Sequence, residues 1–121
     1  MRKAILAYVV PLMLLFAASA SAHAHLEQAS PAVSGTVAEP PTTVTLWFSE
    51  KLEAAFSSIE VQDDNGRRVD KGKVSLDPND AKVLRIDLKT LPPGIYKVTW
   101  RAVSVDTHTT TGNFTFHVTG K

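Results

Sequence analysis

His23-Ala24-His25 and Asp106-Thr107-His108 are the two short segments of this 121-residue chain whose residue types and spacing could do chemistry. The first follows a stretch built like a secretory leader: Arg2 and Lys3, an apolar run from Ala4 to Ala18, then the small residues Ser19-Ala20-Ser21-Ala22. Cleavage after Ala22 makes His23 the first residue of the exported chain. An N-terminal histidine carries its free α-amine and its ring on one residue, a chelating pair that no internal histidine offers. Ala22-His23-Ala24 also satisfies the small-residue rule, so cleavage before His25 stays open as an alternative.

In Asp106-Thr107-His108, an extended backbone points the side chains of Asp106 and His108 to the same side, where one ion can touch both. With the amine and ring of His23, the donor set becomes three nitrogens and one carboxylate oxygen. Such a set suits Cu(II) in a tetragonal plane. The chain has no cysteine, and its two methionines, Met1 and Met13, leave with the leader, so no soft sulfur remains to favour Cu(I). Binding requires deprotonated amine and rings, and affinity should weaken as pH falls. An isolated Asp-x-His can equally be turn chemistry, with the carboxylate bonding a nearby backbone N–H.

A second arrangement competes for the same amine. If His23 is first, His25 is third, and a third-position histidine binds Cu(II) or Ni(II) through the amine, the two intervening amide nitrogens and its own ring. That mode needs no fold. Glu50 follows a strand and is a further candidate within reach of a metal, or simply a solvated carboxylate. His117 alternates with Phe116 and Val118, which assigns it to an exposed strand face with no role. Trp47 and Trp100 are read as packing residues.

The elements that must position these groups are all strands. Val44, Leu46 and Phe48 share one face with Thr45 and Trp47 opposite, and Ile59 and Val61 alternate with Ser58 and Glu60. The same period of two runs through Leu84, Ile86 and Leu88, through Tyr96, Val98, Trp100 and Ala102, and through Phe114, Phe116 and Val118. Turn chemistry separates the runs at Pro40-Pro41, Asp63-Asp64-Asn65-Gly66, Asp77-Pro78-Asn79-Asp80 and Pro92-Pro93-Gly94, with Asn65-Gly66 a hairpin-type signal. No helical stripe, internal repeat or low-complexity tail interrupts the pattern. About seven short strands closing over one core is the architecture this predicts, a single all-β sandwich over 23–121 behind a leader over 1–22.

Composition narrows the function classes. The chain has 13 basic and 12 acidic residues, and loss of Arg2 and Lys3 tips the exported part to one net negative charge. No run of like charge argues for nucleic acid or an anionic membrane as partner. Absence of cysteine excludes thiolate metal sites and cysteine catalysis, and leaves the core to hold without disulfides. The leader's apolar run is broken by Pro11 and falls short of the ~20 residues a spanning helix needs.

Three stretches, in order and across nearly all of 23–121, resemble the CopC/PcoC family of periplasmic copper-binding proteins. They are His23-Ala24-His25-Leu26 with Ser30-Pro31-Ala32; Leu46-Trp47-Phe48-Ser49-Glu50-Lys51-Leu52; and Leu91 to Phe116, with Pro93-Gly94-Ile95-Tyr96, Trp100-Arg101-Ala102-Val103-Ser104 and Asp106-Thr107-His108. The resemblance implies an immunoglobulin-like Greek-key β-sandwich with a high-affinity Cu(II) site. The family's first mature histidine falls on His23, its loop aspartate on Asp106 and its loop histidine on His108, while a glutamate described as a weaker contributor falls on Glu50. The family register favours cleavage before His23. Members that also bind Cu(I) carry a methionine-rich loop; the corresponding region, roughly Val61 to Leu76, has no methionine. Many members place a proline after Asp-Thr-His, where this chain has Thr109. Some members are fused to, or work with, an inner-membrane copper transporter of the CopD type.

Three functions are therefore weighed. The leading one is a monomeric periplasmic protein that binds one Cu(II) for copper homeostasis or resistance, sequestering it or delivering it to a partner, through His23, Asp106 and His108, with His25 and Glu50 as further candidates. The second is a copper oxidase that uses an N-terminal histidine to activate oxygen against polysaccharides. The third is a metal-free β-sandwich interaction module.

Overall fold

Alternation of apolar and polar residues becomes eight strands: β1 (Leu26–Ser30), β2 (Thr36–Val37), β3 (Thr43–Phe48), β4 (Ser58–Gln62), β5 (Asp70–Asp77), β6 (Asp80–Leu88), β7 (Gly94–Val103) and β8 (Thr109–Val118). The structure is a computed structural model and describes residues 23–120. The expected leader, 1–22, lies outside the described residues. The one helical element among those described is a three-residue 3-10 turn, Ala54–Phe56.

The strands form two four-stranded sheets, in the orders β1-β3-β6-β5 and β2-β8-β7-β4. Only β5–β6 and β7–β8 are hairpins; every other connection passes from one sheet to the other, giving an interleaved Greek-key sandwich. The sequence pattern predicts about seven strands. The additional one, β2, is two residues long and pairs parallel with the end of β8, Thr36 with His117 and Val37 with Val118. So short a strand leaves no alternation to read. Its presence also leaves His117 only half-exposed rather than on an open strand face.

The core is the set of faces that the period of two specifies. Val44, Leu46, Phe48, Ile59, Val61, Leu84, Ile86, Leu88, Tyr96, Val98, Trp100, Ala102, Phe114, Phe116 and Val118 are all buried in one cluster. Full burial of each large side chain contributes roughly 1.5–3 kcal/mol, and this must offset chain ordering with no disulfide to help. Trp100 packs edge-on against Phe48, with ring centroids 5.2 Å apart. Gly112 lies opposite Trp100 across the β7–β8 hairpin; a Cβ there would come within 2.4 Å of the indole. A glycine is required at that position because the indole covers its backbone.

Two turns show how local chemistry ends strands. At Asp77-Pro78-Asn79-Asp80 the Asp77 carboxylate accepts the Asn79 N–H at 2.7 Å, closing the β5–β6 hairpin. At Asp63-Asp64-Asn65-Gly66 the Asp63 carboxylate accepts the Asn65 and Arg67 N–H groups, and Gly66 takes φ of 80°. The latter turn is closed by a bridge between Gln62 and Arg68, as a hairpin signal predicts. The returning chain then leaves for the other sheet, because the buried carboxylate of Asp70 pins the crossing.

Candidate metal centre

The β7–β8 hairpin determines where Asp106 and His108 go. Its last pair is Val103 with Thr109, so residues 104–108 form the loop at that end of the sandwich. The loop is closed by two main-chain bonds, Ser104 N–H to His108 O at 2.9 Å and Thr107 N–H to Ser104 O at 2.8 Å. It is also fastened to the preceding connection, with Val105 N–H donating to Lys51 O at 3.0 Å and Glu53 N–H to Val103 O at 2.8 Å. Thr107 has φ of 72°, a left-handed conformation that is rare for a β-branched residue, and its hydroxyl donates to the Asp106 carbonyl. Asp106-Thr107-His108 is therefore a turn and not extended chain. The same-side argument from strand geometry does not apply to it.

The segment 23–25 comes to this loop from the far end of the sequence. Ala24 is fully buried and belongs to the core cluster, which leaves His23 and His25 exposed on either side of it. Its carbonyl accepts the Thr110 hydroxyl at 2.7 Å. Ser49, just after β3, grips the segment three ways: its N–H donates to His25 O at 2.9 Å, its hydroxyl accepts the His25 N–H at 2.8 Å, and the same hydroxyl reaches His23 O at 3.5 Å.

The outcome is that the His23 and His108 rings face each other, centroids 5.0 Å apart and planes inclined by 47°. Neither ring is engaged in a hydrogen bond among the described residues. A metal–nitrogen distance of about 2.0 Å puts each centroid about 3 Å from the ion, so two rings on one ion have centroids between about 4 and 6 Å apart. The observed separation fits that range. Two free imidazoles at this spacing can converge on a single cation with little movement.

The other predicted groups are less closely gathered. Asp106 is exposed on the same loop as His108, and its carboxylate makes no hydrogen bond or ion pair among the described residues. No set of three or more His, Asp or Glu side chains is gathered at metal-binding spacing among the described residues, so Asp106, His25 and Glu50 are not drawn into the pair. Glu50 is half-buried beside Ser49, and His25 is exposed at the start of β1. The rings meet through tertiary structure; the carboxylate is near one of them, His108, in sequence and free to turn.

Sequence reasoning missed the groups that hold this arrangement. Ser49 and Thr110 are ordinary polar residues near strand ends, and nothing in their local pattern marks them as partners of residues 23–25. Ser104 is also unforeseen: it lies 1% exposed at the base of the loop, and its hydroxyl has no hydrogen-bond partner among the described residues. A buried hydroxyl left unpaired is uncommon, and it falls here at the base of the loop that carries Asp106 and His108.

Comparison with known proteins gives a consistent result. The CopC domain model matches residues 26–119, a stretch that contains Asp106 and His108 and starts just after His25. Protein YobA of Escherichia coli K12 is 38% identical over 98 residues, covering 80% of this chain and 79% of that one. Copper resistance protein C of Escherichia coli is 36% identical over 107 residues, covering 83% and 84% of the two chains. The crystal structure of CopC from Methylosinus trichosporium OB3b superposes with a TM-score of 0.76 at 33% identity, covering 81% of this chain and 95% of that one.

Proposed function

The chain belongs to the CopC family, and from that premise we propose that it is a periplasmic Cu(II)-binding protein of copper homeostasis, which holds one copper per mature chain for sequestration or for transfer to a partner. The observation that carries this reading is the pair of unengaged rings, His23 and His108, 5.0 Å apart at one end of the sandwich. Leader removal after Ala22 adds the α-amine of His23 to that pair. Asp106 supplies the oxygen: its exposed, unpaired side chain has rotamers available and needs no bond broken to turn toward the rings. Three nitrogens and one oxygen favour Cu(II), and the lack of methionine beyond Met13 removes the usual ligands of Cu(I).

Copper is cargo in this reading, and its binding is stoichiometric rather than catalytic. His25 and Glu50 stay outside the primary set, which follows the family resemblance of His23, Asp106 and His108. A membrane copper transporter of the CopD type is the natural recipient, and a monomer suffices for the site because both rings come from one chain.

The test is titration of correctly processed protein with Cu(II) against a competing chelator. One copper per chain is expected, with affinity reduced at least about a hundredfold, or about 2.7 kcal/mol, in His108→Ala and in protein whose amine is acetylated or masked by a retained methionine. Unchanged affinity in both sinks the proposal.

A further inference from the structure

A processed His-Ala-His terminus has two ways to bind Cu(II), and the fold discriminates between them. In one, the His23 amine and ring act with Asp106 and His108. In the other, the amine, the amide nitrogens of Ala24 and His25 and the His25 ring wrap the ion locally. The second mode displaces two amide protons to solvent and puts copper on both nitrogens. Here the His25 amide N–H is committed to the Ser49 hydroxyl at 2.8 Å, and Ala24 is 0% exposed with its carbonyl held by Thr110 at 2.7 Å. Wrapping the ion would withdraw Ala24 from the core and break both bonds, together with the Ser49 N–H to His25 O bond at 2.9 Å.

We propose that Ser49 and Thr110 are positioning residues that determine the coordination mode: their hydroxyls clamp the two sides of the Ala24–His25 peptide, which withholds the His25 amide nitrogen that the local mode needs and leaves the His23 amine and ring for His108. The inference rests on the site proposed above. It adds a role for two residues that touch no metal. The same clamp keeps His25 from competing, although its ring is exposed.

The experiment uses processed protein with one equivalent of Cu(II): wild type, Ser49→Ala, Thr110→Val, the double variant, and the double variant with His25→Ala. Visible absorption, electron paramagnetic resonance and protons released per copper are recorded. Deprotonated amides are strong-field donors, so a local mode shifts the ligand-field band to shorter wavelength and adds up to two released protons. Each hydroxyl removed should shift the ratio of modes by roughly fivefold to tenfold. The double variant should therefore show the blue-shifted band and the extra protons, and His25→Ala on that background should abolish both.

Thr110→Ser keeps a hydroxyl and should retain the wild-type spectrum, while near-ultraviolet dichroism from Trp100 against Phe48 checks that each variant is folded. A metal-free readout accompanies these: the His25 amide should exchange with solvent faster in Ser49→Ala. A folded double variant with wild-type band and proton count overturns the clamp while leaving the site intact. A wild-type protein that already shows the amide-ligated band, lost in His25→Ala and kept in His108→Ala, overturns the site itself and the clamp with it.

Discussion

Asp70 and Asp106 are the same residue type at opposite ends of one sandwich, and their surroundings give them opposite capacities. Asp70 opens β5 near the end where Gln62 pairs with Lys97, early in β7, whereas Asp106 lies in the loop beyond Val103, where β7 finishes. Six residues of strand separate those levels, roughly 20 Å. Asp70 is 4% exposed and its two oxygens accept four hydrogen bonds: Val61 N–H, Gly72 N–H and the Nε and Nη2 groups of Arg68, each at 2.8 Å. Asp106 is exposed and its carboxylate accepts none among the described residues. A carboxylate whose lone pairs are already taken by fixed donors is structural, and one left free on the loop that carries His108 is available to a cation. Hydrogen-bond saturation, not residue identity, separates scaffold from site.

The electrostatics at Asp70 follow from the same contacts. Burial is the largest single influence and pushes the carboxyl up, but the Arg68 guanidinium with the Val61 and Gly72 amides outweighs it and holds the group below the usual carboxylate range. A carboxyl depressed in the folded state contributes stability that is present above its unfolded value and lost as pH falls through the folded one.

The contrast can be broken most forcefully at Asp70. Asp70→Ala leaves the Val61 and Gly72 amides and the inner face of Arg68 without an acceptor, and should cost about 3 kcal/mol of folding stability in denaturant titration. Copper stoichiometry should persist wherever the variant is folded; its loss from folded protein would show that the two ends are coupled. A smaller effect is expected on acidification. Wild-type stability should decline below about pH 4 more steeply than that of Asp70→Asn, measured as midpoints across the acid range, and parallel curves would remove Asp70 as the source. The smallest stability effect belongs to Asp106→Ala, within about 0.5 kcal/mol of wild type, with copper affinity nonetheless lowered by about tenfold. A large loss of stability there would mean that the Asp106 carboxylate holds the turn together rather than standing free for a metal.

Much of this was legible in the chain. Every buried residue of β3, β4 and β8, and of β7 as far as Ala102, falls on the face its alternation predicts, because one face of a half-buried strand must be apolar at every second position; Val103, buried at the end of β7, is the exception. The turns at Asp63 and Asp77 were marked by residues that bond their own backbone. What was not legible involves partners distant in sequence. Ser49 and Thr110 grip residues 23–25, Arg68 and Asp70 close a corner under Val61, and β2 exists only because β8 is beside it. None of these leaves a periodic trace. The extended reading of Asp106-Thr107-His108 was mistaken in its geometry, since the hairpin forces Thr107 into the left-handed region.

By itself, then, the sequence determined which faces turn inward, which segments turn back, and which side chains are capable of holding copper, because these depend on residue type and on local spacing. Only the tertiary structure decided that His23 meets His108, 85 positions away in the chain. That meeting depends on a fully buried Ala24 and on the hydroxyls of Ser49, just after β3, and Thr110, in β8, and pairings across the sandwich are set by how the two sheets close, which no local pattern encodes.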